Sequence, residues 1–249
     1  MKQTRHSTFT SLLLAGALAC SVAPAIAQTA KGAANPPPSA DLDYAINAVQ
    51  KGLSLSGNAG VQWRAGDGRY SIANETRASI VGKILDARSE GRVDAQGLAP
   101  EKSIEKRFRK EATTTTFDRE SKTIRFDASD ATYPIKGGEQ DRNSIVWQLA
   151  TIARTTPAKF KTGSTISAFV AGQKNAEAWS FKVGKAETLK TGMGDISAVK
   201  VSKSAGNGDK DQKIDLWLAP SKNWYPVRIR FAEPDGDFIE QTITRITPQ

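Results

Sequence analysis

Residues 213–232 read KIDLWLAPSKNWYPVRIRFA, two short runs in which apolar and polar side chains alternate. In the second run, Val227, Ile229 and Phe231 share one face and arginines occupy the other. Successive side chains of a β-strand point to opposite faces, so the stretch predicts two antiparallel strands with one buried face. Trp217 lies on the opposite face from its apolar neighbours. We expect it to be covered by a helix or by the concave side of a curved sheet.

The same alternation recurs along most of the chain and predicts a largely antiparallel protein. Ala65-Gly66-Asp67-Gly68 is a hairpin turn signal, Glu90-Gly91 separates two strand regions, and Asn207-Gly208 and Asp235-Gly236 mark loops. The predicted strands are 41–51, 53–64, 69–76, 79–89, 102–109, 112–118, 122–127, 165–171, 178–183, 186–191, 196–202, 213–219, 225–232 and 237–246.

One segment departs from this period. Asp141–Arg154 has Ile145, Leu149 and Ile152 at helical spacing, with a broad apolar stripe. Asp141 can cap its amino end, and Pro157 discourages continuation. The fold class expected is therefore mainly β: a curved antiparallel sheet or half-open β-barrel with one central α-helix packed on it.

The first 27 residues have the three parts of a secretory signal peptide. A basic start is followed by an apolar run over residues 11–19 and by the small-residue cleavage site Ala25-Ile26-Ala27. Cleavage after Ala27 predicts an exported, periplasmic protein of 222 residues. The alternative is processing before Cys20, which would give a lipoprotein anchored at that cysteine.

The remaining chain divides into a tether and a domain. Residues 28–41, rich in Ala, Gly and Pro, are expected to be disordered because they have little to bury. Residues 42–249 are expected to form a single β-rich domain, and no later stretch approaches the roughly 20 apolar residues of a transmembrane helix. The formal charge is +9, and the basic residues are spread along the chain between acidic ones. In an exported protein this distribution favours a solvated basic surface over nucleic-acid binding.

The residue types available exclude several reaction classes. His6 and Cys20, the only histidine and cysteine, both precede the cleavage site. A mature chain would then lack the base of a serine triad, a cysteine nucleophile and the usual zinc ligands. Carboxylates that are close in sequence and could act on a glycosidic bond are Asp127 with Asp130 and Asp235 with Asp237. Both pairs fall at turns, where Asp bonds the backbone, so we expect no enzyme, no metal and no cofactor.

The tryptophans are the candidate binding residues. Most large aromatic side chains in such a sheet are core residues. The functional alternative is that some line an apolar cavity for an acyl chain or a hydrophobic peptide. The five are Trp63, Trp147, Trp179, Trp217 and Trp224, of which Trp147 and Trp217 are the first to test.

Two stretches resemble a known family. One is Tyr133-Pro134 followed by residues 138–149, GEQDRNSIVWQL; the other is residues 215–241, with the run Asn223–Arg230 and the pair Glu240-Gln241. Together with Ser89-Glu90-Gly91 and Gly97–Pro100, they resemble the bacterial exported family called domain of unknown function 3108, over about residues 42–246. The tail is also distantly similar to lipoprotein-carrier half-barrels of the LolA and LolB kind. That similarity implies a curved sheet, closed over by helices, around an apolar hollow for acyl chains.

These observations lead to two functional hypotheses. The first is a non-enzymatic periplasmic protein that binds a hydrophobic or lipid-linked envelope component, with lipid or lipoprotein as partner. The second is an envelope assembly protein that uses a sheet edge or the basic face of Arg228 and Arg230, without a small ligand. The sequence leaves ligand identity and oligomeric state open.

Overall fold

The computed structural model describes residues 33–203 and 212–249, which form one curved sheet of 15 strands and one α-helix. The leader, residues 28–32 and the predicted Asn207-Gly208 loop lie outside the described residues. The strands are β1 (Ala40–Gln50), β2 (Leu53–Gly66), β3 (Arg69–Ala78), β4 (Gly82–Asp94), β5 (Gly97–Arg107), β6 (Thr113–Asp118), β7 (Thr123–Phe126), β8 (Ser129–Pro134), β9 (Gln140–Asp141), β10 (Thr165–Ala171), β11 (Ala176–Thr191), β12 (Gly194–Lys203), β13 (Lys213–Ala219), β14 (Tyr225–Ala232) and β15 (Phe238–Pro248). The helix, α1, is Ser144–Thr155, and short 3₁₀ turns follow at Pro157–Phe160 and Pro220–Lys222.

The sheet consists of two meanders, which meet at its centre where the first strand of the domain pairs with the last. Its order is β8-β7-β6-β5-β4-β3-β2-β1-β15-β14-β13-β12-β11-β10-β9. All pairs are antiparallel except the short β9–β10 pair. Strand β1 pairs with β15 from Ala40 opposite Pro248 to Val49 opposite Phe238. The mainly β, antiparallel prediction is confirmed, and this central pairing is a long-range contact that no local pattern announces.

The two outer parts of the sheet approach each other through side chains. Thr115 Oγ1 on β6 donates to the carbonyl of Gly172, and Gln140 Nε2 on β9 donates to the carbonyl of Leu98 on β5. A small cluster around Phe117 also joins these strands to β10 and β11. The sheet therefore curves strongly, although its backbone ladder stays open.

Several predicted breaks are bulges within longer strands. Glu90-Gly91 does not separate two strands, because β4 continues to Asp94 with a register shift at this point. A Cβ on Gly91 would overlap the carbonyl oxygen of Ala99, so only glycine fits the close approach. The predicted strands 178–183 and 186–191 are likewise one bent strand, β11, with a shift after Val183. Strands β8 and β9 were missed.

Helix α1 begins three residues later than predicted. Asp141 precedes it, and its Oδ1 still accepts from the backbone N–H groups of Asn143 and Ser144, at 2.8 and 3.0 Å. The carboxylate therefore satisfies donors that the first helical turn cannot pair internally. Ile145 and Leu149 pack on the concave face of the sheet, as the apolar stripe predicts.

Residues 35–39 make hydrogen bonds to the domain, whereas the sequence predicted a tether without such contacts. The carbonyl of Pro37 accepts from Trp63 Nε1 at 2.9 Å, and that of Pro38 accepts from the Tyr225 hydroxyl at 2.8 Å. Asn35 bonds the last turn of α1 through Thr155. A proline-rich segment has no core of its own, but its free carbonyls can bind donors of a neighbouring domain.

Trp217 lies on the outer face, as predicted, but its cover is not the helix or the concave face. The outer half of the β11–β12 hairpin bends over it, and Glu187 accepts a hydrogen bond from its indole Nε1 at 3.1 Å. The hairpin tip is held by the Gly192 N–H, which donates to the carbonyl of Ile243. The bulge after Val183 makes this bend possible, because an extra residue increases local twist.

Candidate ligand cavity

A cavity of about 780 Å³ lies between α1 and the concave face of the sheet. Strands from both halves line it with alternate residues, as a period of two requires. From β1 to β4 come Tyr44, Ile46, Ala48, Val61, Ile72, Leu85 and Ala87; from β11 to β15 come Trp179, Phe181, Ile214, Leu216, Ile229, Phe231 and Ile239. The wall is therefore mainly aliphatic and aromatic.

The helix closes one end of the cavity. Ile145, Val146, Trp147 and Leu149 face into it. Trp147 is buried and makes an edge contact with Tyr225, with ring centroids 6.2 Å apart. An apolar surface therefore covers this end of the cavity.

A buried polar chain holds the start of the helix. The Tyr70 hydroxyl lies 3.0 Å from Ser89 Oγ, which donates to Asp141 Oδ2 at 2.6 Å. Burial raises the pKa of the Asp141 carboxyl, against the lowering effect of these hydrogen bonds and those from Ser144. Burial also raises the pKa of Tyr70 well above its ordinary value, so the hydroxyl stays protonated and can donate. The chain is a structural anchor that fixes α1 over the cavity.

Two polar atoms within the wall have no hydrogen-bond partner among the described residues. They are Asn74 Oδ1 and Thr76 Oγ1, both on β3 and both lining the cavity. The buried Gln241, on β15, also lines the cavity. Asn74 and Thr76, two residues apart on one face of β3, thus form a small polar site on a mainly apolar wall.

The open end of the cavity is rich in basic side chains. Its lining includes five basic residues and two acidic ones: Arg77, Arg107, Lys110, Arg142 and Lys203, with Glu105 and Glu177. Arg107 pairs with Glu105, and Lys203 Nζ lies 4.7 Å from the ring centre of Trp179. The opening therefore keeps a net positive charge.

The structure brings together only some of the tryptophans predicted as ligand-binding. Trp147 and Trp179 line the cavity, and Trp63 lies behind Trp147 and stacks on it. Trp217 is on the outer face of the sheet, with Lys200 4.9 Å above its ring. Trp224 packs edge-on against Phe160 and also lies outside the cavity wall.

Sequence reasoning missed most of the cavity wall. The alternating apolar residues of β13 and of β14 were each predicted to share one face, and that face borders the cavity as well as packed core. Asn74 and Thr76 were also missed. They stand on the same alternating face as Ile72, and a polar side chain at such a position is the signal that could have identified them.

Of the carboxylates considered for glycoside hydrolysis, Asp127, Asp235 and Asp237 lie at turns, and Asp130 lies near the start of β8. Asp235 Oδ1 accepts from the Asp237 backbone N–H at 3.1 Å, and Asp127 Oδ2 accepts from that of Thr114 at 2.7 Å. These carboxylates bond the backbone, as expected from their position. Within the described parts of the chain, no helix is long and apolar enough to cross a membrane.

Comparison with known proteins supplies a family and a fold. The family model described as "Protein of unknown function (DUF3108)" matches residues 43–244. No curated protein matches the chain. A β-barrel-like protein of the DUF1849 family from Brucella abortus is 13% identical, with a TM-score of 0.58, over 87% of this chain and 100% of that one. At this identity the likeness concerns the fold alone.

Two further solved structures are more distant. A candidate lipoprotein from Parabacteroides distasonis has 10% identity and a TM-score of 0.34, over 85% of this chain and 97% of that one. A DUF1329 family protein from Desulfovibrio piger has 8% identity and a TM-score of 0.31, over 86% of each chain. Neither is similar enough to contribute to a functional argument.

Proposed function

Since the chain belongs to the DUF3108 family, whose description assigns no activity, we propose from its geometry that it binds a hydrophobic or lipid-linked component of the cell envelope. The observation that carries this proposal is the apolar cavity of about 780 Å³ beneath α1. Small-molecule sites typically have about 300–1,000 Å³ and mainly apolar walls with a few polar groups. The cavity has the same size and composition.

The wall favours an acyl chain or a comparable hydrocarbon. Each methylene group that leaves water for an apolar wall contributes about 0.8 kcal/mol. The two inner walls, on β1–β4 and on β11–β15, present aliphatic and aromatic side chains along the length of the cavity. A chain of several methylene groups would therefore bind without any specific polar contact.

The polar site on β3 narrows the ligand class. A buried polar atom without a partner costs about 1–3 kcal/mol. Asn74 Oδ1 is an acceptor, and Thr76 Oγ1 can accept or donate. A ligand with a hydroxyl or amide N–H on an otherwise apolar chain would donate a hydrogen bond to these oxygens and would also fit the apolar wall.

The proposed architecture is a half-open β-barrel, with α1 covering one end of the hollow. The bonds between β9–β10 and β5–β6 and the barrel-like solved structure support it. The proposed location is the periplasm, supported by the signal-like leader before Gln28. Processing before Cys20 remains the alternative, and the mass of the mature protein distinguishes the two.

The second candidate function, envelope assembly through the basic face, has weaker support. Arg230 pairs with Glu240 at 3.1 Å and lies 3.9 Å from the ring centre of Phe238. Arg228 lies 3.6 Å from the same carboxylate and donates to the carbonyl of Lys190. Both guanidinium groups are already engaged within the chain, so this face offers little unpaired charge to a partner.

The test is direct binding of a fluorescent fatty acid to the purified protein in solution. Ala87 is buried and lines the cavity, so Ala87→Trp should fill part of it and lower probe affinity at least about tenfold, which corresponds to about 1.4 kcal/mol. Ala73→Trp is the matched control, because Ala73 is on the same sheet but faces away from the cavity. It should leave affinity unchanged.

Circular dichroism and thermal unfolding would show that both variants are folded. The lipid extract of the purified protein should also contain a component absent from an unrelated exported protein. If the wild type binds no probe and extracts no lipid, or if both tryptophan variants weaken binding equally, the cavity is not the binding site.

A further inference from the structure

Three successive turns lie side by side at the open end of the cavity. They connect β1–β2, β3–β4 and β5–β6, and antiparallel order places all three at the same end of the sheet. The Ser79 N–H donates to the carbonyl of Ser56, and the Phe108 N–H donates to that of Ile84. The turns therefore form one continuous edge, which we call the rim: residues 50–57, 77–84 and 106–112.

The rim holds most of the exposed large apolar side chains. Among the described residues six such side chains are exposed, and five of them belong to the rim; the sixth is Met193 on the β11–β12 turn. The five are Leu53, Leu55, Ile80, Val81 and Phe108, whose exposed fractions run from 37% to 87%. Scattered apolar residues need no explanation, but a group at one edge marks an interaction surface.

The rim is also strongly basic. Its three segments contain seven basic residues and one acidic residue, Glu111. Three of the basic residues pair with carboxylates on the neighbouring strands. These pairs are Arg77 with Glu75, Lys83 with Glu75 and Asp86, and Arg107 with Glu105. Lys51, Lys106, Arg109 and Lys110 form no ion pair with any described residue.

An acidic turn lies next to the basic rim. The β14–β15 turn, residues 233–237, contains Glu233, Asp235 and Asp237, and Asp237 accepts from the Lys51 backbone N–H. An acidic turn therefore adjoins the rim beside the β1–β2 turn.

The rim is continuous with the cavity. Leu55 and Phe108 are exposed and also line the cavity, as do Arg77 and Lys110. Any surface that contacts the rim would therefore cover the opening. Apolar tips surrounded by basic residues fit an anionic bilayer, which offers acyl chains below a layer of negative headgroups.

We propose that the rim docks onto an anionic phospholipid membrane, with its apolar tips at the boundary of headgroups and acyl chains. Docking would allow an acyl ligand to pass between the membrane and the cavity, and this role rests on the proposed function. Docking itself depends on the exposed residues and charges of the rim.

The experiment is co-sedimentation of the purified mature protein with vesicles. Vesicles of phosphatidylethanolamine and phosphatidylglycerol should pellet the protein, vesicles of phosphatidylcholine should pellet less, and high salt should weaken the difference. Reversing two rim charges that do not line the cavity, Lys106→Glu with Arg109→Glu, should lower the partition coefficient at least about tenfold. The same reversal at Lys159 and Lys161, both exposed and outside the rim, is the control and should have a much smaller effect.

The apolar contribution needs its own variant. Ile80→Ser with Val81→Ser should reduce binding to anionic vesicles, whereas Met193→Ser should not. All of these side chains are exposed, so the variants should unfold at the same temperature as the wild type.

Solution binding of the fatty-acid probe separates this inference from the proposed function. Rim variants that lose vesicle binding but keep probe affinity support docking. A wild type that binds the probe but not anionic vesicles overturns docking and leaves the cavity function intact. Equal vesicle binding by rim and control variants would also overturn it, and would direct attention to a protein partner for the rim.

Discussion

Trp63 and Trp147 stack almost parallel, with ring centroids 4.2 Å apart and ring planes 6° apart. One ring belongs to β2 and the other to α1, so the pair joins the helix to the first half of the sheet. Both side chains are buried, and Trp63 also bonds the proline-rich segment before β1. Sheet, helix and entering chain therefore meet at this contact.

Trp147→Ala should destabilise the protein by about 3–5 kcal/mol, because it removes a buried aromatic side chain and its stacking contact with Trp63. Trp224→Ala is the control, since Trp224 is only partly buried, and should cost less. Urea unfolding followed by circular dichroism measures both. In the double variant of Trp63 and Trp147 the losses should be non-additive by about 0.5–1.5 kcal/mol. Equal costs for Trp147→Ala and Trp224→Ala would contradict the anchoring role.

Asp141→Asn should change how stability depends on pH. Burial raises the folded-state pKa of Asp141 above its ordinary value of 3.8, so the folded protein binds this proton more tightly than the unfolded chain. This stabilising contribution is complete below pH 3.8 and is lost as pH rises through the folded pKa. The Asn variant lacks the titration, so the wild type should lose stability relative to it as pH rises.

Urea unfolding at a series of pH values, compared between wild type and Asp141→Asn, gives this difference directly. Asp130→Asn is the control, because Asp130 is exposed at a strand end. A difference that stays constant from acid to neutral pH would show that the Asp141 carboxyl is not perturbed by its burial.

Gln148→Leu should destabilise the protein by about 1–3 kcal/mol. Gln148 Oε1 accepts from the buried Leu98 N–H at 2.8 Å, and its Nε2 donates to the carbonyl of Gln96 at 2.7 Å. Leucine has a similar size but leaves the backbone donor without a partner. Gln62→Leu, at an exposed position on β2, should change the unfolding free energy by less than about 0.5 kcal/mol. A similar small change at both positions would mean that water replaces the amide at Leu98.

Quenching of tryptophan fluorescence should report where an acyl chain binds. A fatty acid with a doxyl group quenches indoles only at short range. Trp179→Phe should therefore reduce the quenched emission, because Trp179 lines the cavity. Trp217→Phe should leave the quenched emission unchanged, because Trp217 is under the β11–β12 hairpin. If Trp217→Phe removes the larger share, the probe binds the outer face.

The fold could be predicted well where a local period determines structure. The alternation of Val227, Ile229 and Phe231 identified the strand and its buried face. The spacing of Ile145 and Leu149 identified the helix and the side that packs. Both inferences need only the geometry of a strand or helix and the preference of apolar groups for the interior.

The candidate site could be predicted only in part. Trp147 and Trp179 line the cavity, but Trp217 has an equally apolar ring and lies outside it. Composition cannot separate these cases, because a tryptophan in a strand is buried whether it borders packed core, a covering hairpin or a hollow. Asn74 and Thr76 can be identified as candidate binding residues only once the structure shows that they line the cavity.

The sequence by itself determined the class of the protein: short antiparallel strands, one helix and a leader-like start, since these depend on local periodicity and composition. The tertiary structure alone decided that β1 and β15 pair across the whole domain and that β11 bends at Val183 to cover Trp217. It also decided that the remaining inner faces stay far enough apart to enclose a cavity. Alternation along a strand shows which of its faces is apolar. The distance from that face to the opposite wall of the cavity depends on curvature, bulges and long-range strand pairing over the entire sheet.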